Sequence, residues 1–279
     1  MPTFTNFSGN PLGGTLTQLN TGTDQTAFGI NKNGDVVGGN MTNAFFLPNG
    51  GSLQTLTVPV NAINAFGIND KGNIVGQYTS GTNTPGFILD GASSTNFTTI
   101  NQPTGIGADT INAQGINNNG LVIGFYAGND GQVHGFTAQK PAMPGTIVAT
   151  AVTDPTIPKV AMEPGATFVF SQLLGVNDVG IVSGYYGDST ASQHGFLYNS
   201  NTGTYTFLDD PAAAFNITGV EVTQITGIND AGDIAGFYTD ANGIAHSFVA
   251  VPVPEPGFFV PIGFGMSAVV LRYFRQRRT

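Results

Sequence analysis

Cysteine and tryptophan are absent from the 279 residues, and only 9% of the residues are charged. Without cysteine there is no disulfide, no thiolate nucleophile and no cysteine-ligated metal, so stability has to come from a buried core, which a chain of this length can build. The polar surface must consist mainly of Asn, Thr, Ser and Gln, which compete with helices for backbone hydrogen bonds, and the 40 glycines disfavour helices further. The composition therefore favours short strands joined by tight turns.

Basic residues are scarce and unevenly placed. Residues 1–250 contain four lysines and no arginine, whereas all four arginines lie in the last eight residues. Outside the tail, sixteen acidic residues against four lysines give a net charge of −12. Because contacts to phosphates dominate nucleic-acid affinity, a body with this negative charge is not expected to bind nucleic acid.

A block of the form G-[IV]-N-x-x-G occurs five times, and another glycine follows each block at a fixed distance. The first glycines are Gly29, Gly67, Gly115, Gly175 and Gly227. The second glycines come nine residues later, at Gly38, Gly76, Gly124, Gly184 and Gly236. A small residue followed by Phe then recurs, as in Gly135-Phe136. These features indicate five internal repeats with spacings of 38, 48, 60 and 52 residues.

Each repeat predicts about four short antiparallel strands. The residues around the Asn/Asp/Gly turn form a hairpin, and the small-Phe pair lies on a third strand. Fourth strands are predicted at Leu53–Val58, Asn96–Ile100 and Tyr205–Leu208. This pattern is typical of a β-propeller blade, whereas solenoid rungs, the second possibility, are shorter and more regular. An insertion at about 140–165 predicts a long loop with an irregular fourth strand.

The predicted fold is therefore all-β, with a repeat domain at residues 1–250 and a tail at residues 251–279. The domain is expected to be a five-bladed β-propeller built from five repeats of about 40–60 residues. The last repeat has no fourth strand of its own, and a strand-like stretch, Thr15–Leu19, precedes the first block. We expect this stretch to complete the fifth blade, because ring closure removes exposed sheet edges.

The tail combines three features. It begins with Val253, Pro254, Glu255 and Pro256, continues with the apolar run Gly257–Leu271, and ends with Arg272, Arg275, Arg277 and Arg278. The apolar run predicts a short helix of about 22 Å, shorter than the ~30 Å hydrocarbon core of a bilayer. The arginines are expected on the cytoplasmic side of a membrane, with the repeats on the outer side.

These tail residues resemble the PEP-CTERM sorting signal, in which Val-Pro-Glu-Pro precedes a short hydrophobic helix and terminal arginines. The repeats resemble HAF repeats, named after the His-small-Phe stretch that begins here at His134, His194 and His246. The resemblance implies an exported protein, processed near Pro-Glu-Pro by an exosortase-type membrane enzyme. Its implied destination is the cell surface or the exopolysaccharide matrix of Gram-negative-type bacteria.

The N-terminal residues depart from that family. Residues 1–31 contain no Lys or Arg before Lys32 and no apolar segment of the kind found in signal peptides. Because the family begins with a signal peptide, we expect the natural start to lie upstream of Met1.

All three histidines occupy one position of the repeat, directly before the small-Phe pair. His134, His194 and His246 are therefore candidate ligand-binding residues, one per blade. The favoured interpretation is structural: each imidazole hydrogen-bonds to the turn of its own blade, because equivalent positions of different blades lie far apart unless they line the channel. No metal, cofactor or catalytic residue is expected.

Three further groups allow a structural and a functional interpretation. The turn acids Asp70, Asp178, Asp230 and Asp233 lack the spacing of a calcium loop, which favours Asx turns. A glycosidase-like carboxylate pair would have to come from Asp109, Asp209, Asp210 and Glu221. Sugar-stacking candidates, for which packing between blades is the favoured role, are Tyr126, Tyr185, Tyr186 and Tyr238.

Two functions follow from these observations. The sequence favours an exported surface or matrix-associated propeller with a structural or binding role and no catalysis. The alternative is a propeller carbohydrate-active enzyme, a glycosidase or lyase acting on exopolysaccharide. The expected partners are an exosortase-type enzyme, a membrane through the tail, and exopolysaccharide.

Overall fold

The computed structural model describes residues 25–103, 110–155, 165–210, 213 and 220–252. Every regular element in these ranges is a β-strand. Within the same ranges there is no helix long and apolar enough to cross a membrane. The stretch Thr15–Leu19 and the tail from Val253 onward, with its predicted helix, lie outside the described residues.

The strands form five antiparallel modules, one for each repeat. Module 1 contains β1 (Thr26–Ile30), β2 (Val36–Gly39), β3 (Ala44–Leu47) and β4 (Gln54–Thr55), and module 2 contains β5 (Ala62–Ile68), β6 (Asn73–Tyr78), β7 (Gly86–Asp90) and β8 (Phe97–Asn101). Module 3 contains five strands, β9 (Ile111–Ile116), β10 (Leu121–Ala127), β11 (Val133–Gln139), β12 (Thr146–Val148) and β13 (Thr150–Ala151). Module 4 contains β14 (Phe168–Val176), β15 (Ile181–Asp188), β16 (Gln193–Asn199) and β17 (Thr204–Phe207), and module 5 contains β18 (Thr223–Ile228), β19 (Ile234–Thr239) and β20 (Ala245–Ala250). The order 1-2-3-4 within modules 1, 2 and 4 is that of a propeller blade.

The described part of the insertion, residues 140–155, contains two short strands where the sequence predicted a long loop with an irregular fourth strand. Its strand β12 runs parallel to β8 of module 2, with Thr146 opposite Thr99. The following strand, β13, pairs antiparallel with β11 and provides a short fourth strand for module 3. The insertion therefore ties module 3 to module 2.

Packing explains the fixed interval of nine residues between the first and the second glycine of each repeat. In each first strand a bulge residue stands directly before the motif glycine. The second glycine, Gly124 in module 3, pairs with Ala113 on one side and with Phe136 on the other. A side chain on Gly124 would overlap the carbonyl oxygen of Asn112 and the ring of Phe136. The Phe of the third strand therefore occupies space that only a glycine leaves free.

Apolar side chains of successive modules form the core. Val75 and Ile88 of module 2 pack with Val122 and Phe136 of module 3 in one buried cluster. Equivalent clusters join module 1 to module 2 and module 3 to module 4. A module thus packs one face against the next module and the opposite face against the preceding one.

The interface between modules 4 and 5 is filled less completely. Ser183 of module 4, fully buried, stands where module 2 has Val75. A groove of about 370 Å³ runs between the two modules, with Leu197 and Thr206 on one side and Ile234 on the other. A polar residue in place of Val leaves less apolar surface to bury at this junction.

The two ends of the series do not pair among the described residues. No strand pairing or hydrogen bond in those ranges joins module 5 to module 1. Val249 of module 5 is 66% exposed, whereas its counterpart Ile88 is 1% exposed, and Ile30 of module 1 is 68% exposed against 8% for Ile68. Closure of the ring through Thr15–Leu19 stays a prediction.

Candidate functional site

The asparagine of each G-[IV]-N block joins its module to the next one. Asn69 is typical: its Oδ1 accepts hydrogen bonds from the backbone N–H groups of Lys71 and Asn73, which closes the turn. Its Nδ2 donates to the carbonyl oxygen of Asn117 in the next module, at 3.0 Å. The same forward bond occurs at the other three interfaces. We call the five residues the asparagine ladder: Asn31, Asn69, Asn117, Asn177 and Asn229.

The residue after each ladder asparagine makes a second bond between modules. Asp70 accepts a hydrogen bond from the backbone N–H of Lys32 at 2.9 Å, and this bond is the main reason why the pKa of Asp70 is lowered. Asp178 and Asp230 accept in the same way from the preceding module, both at 2.7 Å. The Asx-turn interpretation was therefore wrong for these three acids, because the ladder asparagine occupies the turn. Asp233 accepts from Asn229 Nδ2 within its own turn.

Each histidine ring packs against the ring of the tyrosine opposite it in the second strand. The ring centroids are 5.6, 5.0 and 5.2 Å apart in the pairs Tyr126–His134, Tyr186–His194 and Tyr238–His246. The antiparallel register of the second and third strands places the members of each pair directly opposite each other. The tyrosine and histidine positions of the repeat thus form one unit.

A carboxylate at the end of the second strand, or in the loop that follows it, lies within 3.5 Å of Nε2 of each imidazole. In module 3 Asp130 lies 3.1 Å from His134 Nε2, and in module 5 Asp240 lies 3.0 Å from His246 Nε2. In module 4 the corresponding carboxylate, Asp188, is 3.5 Å away. These carboxylates belong to the histidine's own module, and ligand binding by the histidines stays a prediction.

A second carboxylate reaches Nδ1 in modules 3 and 4. It comes from the segment that follows the fourth strand: Asp154 lies 3.0 Å from His134 Nδ1, and Asp209 lies 3.1 Å from His194 Nδ1. The imidazole therefore connects a loop of its module with the chain that leads to the next one. No group of three or more acidic or histidine side chains within the described ranges could hold a metal ion.

Burial and hydrogen bonding act in opposite directions on His134. Burial disfavours the charged imidazole, but the hydrogen bonds to Asp154 and Asp130 outweigh it and raise the pKa of His134 above its usual value. A group whose pKa is raised by folding contributes stability below its unfolded-state pKa and loses that contribution as the pH rises through the folded-state pKa. Module 3 should therefore be more stable at pH 6 than at pH 8.

We expect His134→Gln to lower the free energy of unfolding by about 1 kcal/mol at pH 6 and by less at pH 8, because only the charged imidazole gains fully from the carboxylates. Urea titrations at both pH values measure this difference. The matched control is His246→Gln, because the side chain of His246 is 43% exposed and contacts one carboxylate, so its effect should be smaller. An equal loss at the two pH values for His134→Gln would contradict the assignment.

Module 4 contains the most deeply buried histidine. His194 is 3% exposed, and the side chain of Asp188 beside it is fully buried. A carboxylate-bound imidazole can hold or transfer a proton, but here the ring is covered by Tyr186 and its own loops. The arrangement is suited to holding the loop and the segment around Asp209 together.

The acids proposed for a glycosidase-like pair differ from one another in their contacts. Asp209 is bound to His194, and Asp210 is 7% exposed, with its backbone N–H bonded to Thr223 Oγ1. The backbone N–H of Glu221 donates to Ser192 Oγ. Asp109 lies outside the described residues, as do the sorting-motif residues and the four arginines.

The tyrosines proposed as sugar platforms are mostly covered. Tyr126 and Tyr186 are 4% and 1% exposed, so packing is their role. Tyr185 donates a hydrogen bond to Gln172 Oε1 at 2.8 Å, and burial raises the pKa of its hydroxyl. Tyr238 is half-buried against His246.

The sequence interpretation missed the carboxylate partners of the histidines. A local signal for them exists, because an aspartate precedes each histidine by four to six residues, at Asp130, Asp188 and Asp240. The ladder also had a signal, since its bonds join residues 38, 48, 60 and 52 positions apart, the same intervals as the repeats.

Comparisons with protein-family models and with curated proteins find no match. Among solved structures, TolB from Acinetobacter baumannii is similar at 9% identity and a TM-score of 0.49, covering 78% of this chain. A lectin from Aleuria aurantia in complex with alpha-methyl-L-fucoside is similar at 11% identity and a TM-score of 0.40 (84% of this chain, 74% of the lectin). Virginiamycin B lyase from Staphylococcus aureus is similar at 11% identity and a TM-score of 0.39 (85% of this chain, 73% of the lyase). The chain spans about half, 52%, of the TolB chain.

Proposed function

We propose that this chain is an exported β-propeller-type protein of the cell surface or extracellular matrix, with a structural or binding role. The observation that carries the proposal is the use of its recurring polar side chains. The ladder asparagines and the acids after them bond one module to the next, and the histidines bond loops within a module. The recurring polar side chains of the repeat thus hold the modules and their loops together.

The alternative, a carbohydrate-active enzyme, has less support. A glycosidase needs two carboxyl groups that both face the sugar. Asp209 is bonded to an imidazole, and Asp210 is buried beside Thr223. The proposed role is therefore that of a scaffold or binding module.

The finer architecture and the destination are part of the same proposal. Five repeats, three of which share the strand order 1-2-3-4, support a five-bladed propeller. The Val-Pro-Glu-Pro motif, the short apolar run and the terminal arginines support export and anchoring through the tail, followed by exosortase-type processing. A place in an exopolysaccharide matrix would suit a body whose polar surface is mostly amide and hydroxyl groups.

Processing of the tail tests the proposal. In a host that has an exosortase, and with a signal peptide added upstream, we expect the mature protein to lack everything after the Pro254-Glu255-Pro256 segment. The combined variant Pro254→Ala, Glu255→Ala, Pro256→Ala should stay whole and membrane-bound, because it lacks the motif next to which the processing enzyme is expected to cut. Intact-mass measurement of surface-released protein distinguishes the two forms.

Pro252→Ala, one position outside the motif, is the matched control and should be processed like the parent chain. A surface-released protein that still carries Arg277 and Arg278 would contradict the assignment of the tail.

A further inference from the structure

The third strand of module 5, β20, has one edge without a partner. In modules 1 to 4 the third strand pairs with the second strand on one side and with the fourth strand on the other. Among the described residues β20 pairs with β19 alone. Its outer edge therefore presents backbone donors and acceptors to which another strand can bind.

One carbonyl oxygen of the third strand marks the place where the fourth strand binds. In module 1 the N–H of Leu56 donates to the carbonyl oxygen of Ala44 at 2.9 Å. In module 4 the N–H of Leu208 donates to the carbonyl oxygen of Gly195, also at 2.9 Å. The acceptor is the small residue before the third-strand Phe, and the donor is apolar. In module 5 this acceptor is Ser247, which is exposed, and within the described ranges no donor outside the β19–β20 ladder bonds to its oxygen.

The groove between modules 4 and 5 borders this open edge. Thr206 of the fourth strand of module 4 lines one side of it, and Ala250 at the end of β20 lines the other. At the position of Ala250, module 4 has Tyr198, whose ring centroid lies 4.9 Å from that of Tyr205 on the fourth strand. Tyr198 and Tyr205 help to fill the interface between modules 3 and 4. The groove is therefore the space that a fourth strand with large apolar side chains would fill.

The chain itself leads into the groove. Pro252, the last described residue, is one of its lining residues. In modules 1 and 2 the fourth strand begins seven positions after the end of the third strand, at residue 54 after 47 and at residue 97 after 90. Seven positions after the end of β20 stands Gly257, the first residue of the apolar run. The spacing of the repeat thus aligns the beginning of the apolar run with the open edge.

The residues at the donor position also match. The donor follows its acceptor by 12 positions in module 1 and by 13 in module 4. The same intervals lead from Ser247 to Phe259 and Val260, which are apolar like the donors of the other modules. Both residues have the N–H group that a strand needs, and Phe and Val favour strands. Pro261, which lacks this group, follows directly and would end the pairing.

A second segment of the chain is predicted for the same edge. Thr15–Leu19, the stretch expected to close the ring, begins with Thr-Leu-Thr, as does the chain around Leu56 in module 1. Leu16 is therefore the donor expected in a closed ring. The two segments cannot pair with β20 at the same time. Six residues connect β20 with Gly257, whereas Thr15–Leu19 belongs to the opposite end of the chain, so the tail closes the shorter loop at the smaller entropic cost.

We propose that Gly257–Val260 is the fourth strand of module 5 in the unprocessed chain, and that removal of everything after Pro256 leaves the edge to Thr15–Leu19. Modules 4 and 5 then cover the first part of the apolar run and keep it from water until the run enters a membrane, where lipid covers it instead. Once the tail is removed, the ring closes through the N-terminal strand. The second step rests on the proposed processing of the tail, and the first step does not.

Disulfide cross-linking tests the first step, because the chain has no cysteine of its own. In the full chain Ser247→Cys is combined with Phe259→Cys or with Val260→Cys. The matched control combines it with Ser267→Cys, which lies in the same apolar run but beyond the proposed strand. The chains are oxidised in buffer without detergent, and the soluble monomer is analysed by peptide mass mapping. One of the two tail pairs should give at least about tenfold more cross-linked chain than the control, because a disulfide needs Cβ atoms about 4 Å apart.

A recognition sequence for a specific protease, inserted between Pro256 and Gly257, tests the second step. Ser247→Cys is now combined with Leu16→Cys, and a mild detergent removes the tail peptide after the cut. Cutting should raise the cross-link to Leu16 by at least about tenfold, and the same chain left uncut is the control.

The other outcomes overturn the proposal. Equal cross-linking of Ser267, or none of Phe259 and Val260, would show that the apolar run does not occupy the edge. A strong cross-link to Leu16 in the uncut chain would show that the ring is closed from the start, and one that cutting does not raise would exclude the second step. Cross-links between two chains would assign the edge to a second copy. No exosortase takes part, so failure here and failure of tail processing in the cell are separate results.

Discussion

Replacing Gly67 with alanine should lower the free energy of unfolding by about 2–3 kcal/mol, whereas the same change at Gly227 should alter it by no more than about 0.5 kcal/mol. At Gly67 the new Cβ atom would lie 2.9 Å from the carbonyl oxygen of Gln114 and 3.0 Å from the Cα atom of Gly115. Both are backbone atoms of the next module, so module 3 would have to shift away from module 2. At Gly227 there is open space.

The comparison between these two positions removes other causes. Both glycines stand at the same place of the repeat, next to the bulge of a first strand, and neither has a positive φ. The loss of backbone freedom in the unfolded chain is the same for both changes and cancels in the difference. Urea unfolding at a concentration where the chain is monomeric gives the two values. Equal losses at both positions would show that the glycine serves the strand itself and not the contact between modules.

Asn117→Ala should lower the free energy of unfolding by about 3 kcal/mol, because it removes all three hydrogen bonds of a side chain whose residue is 5% exposed. The side chain of Asn117 accepts from the N–H groups of Asn119 and Leu121 and donates to the carbonyl oxygen of Asn177 at 2.8 Å. Asn229→Ala is the matched control: the residue is exposed and water can replace its bonds, so the loss should be about 1 kcal/mol or less.

Asn117→Asp separates the two roles of the ladder. A carboxylate keeps the acceptor that closes the turn, but it has no hydrogen for the carbonyl oxygen of Asn177. We expect it to destabilise the chain nearly as much as Asn117→Ala. A loss no larger than that of the exposed Asn229→Ala control would mean that the turn, and not the bond to the next module, is what the asparagine contributes.

Much of the module structure could be predicted because its signals are local and repeated. The Asn/Asp/Gly turns fix the hairpins, and the glycine pair of each repeat sets the register of the first two strands. The predicted fourth strand Asn96–Ile100 corresponds closely to β8 at Phe97–Asn101, whereas the predicted Leu53–Val58 contains only the two residues of β4, Gln54–Thr55. A short outer strand has few cross-strand neighbours to fix its length.

The features that the sequence did not yield depend on contacts across modules. Strand β12 pairs in parallel with β8. Parallel strands are not joined by a tight turn, so no turn residues in the sequence predict this pairing. The second carboxylate of His134, Asp154, follows the insertion and lies twenty positions along the chain. The acids after the ladder asparagines are of a residue type common in turns, but the groups to which they bond lie one repeat away in the sequence.

The unequal filling of the module interfaces predicts the order in which the modules would separate under tension. Modules 1 to 4 share three apolar cores, but modules 4 and 5 share a groove and the buried hydroxyl of Ser183, which has no hydrogen-bond partner among the described residues. The described chain leaves module 5 at Pro252, so tension transmitted through the tail enters next to this junction. If the chain is held through its tail, as proposed above, module 5 should detach first and lengthen the segment between the anchor and the four modules that stay folded.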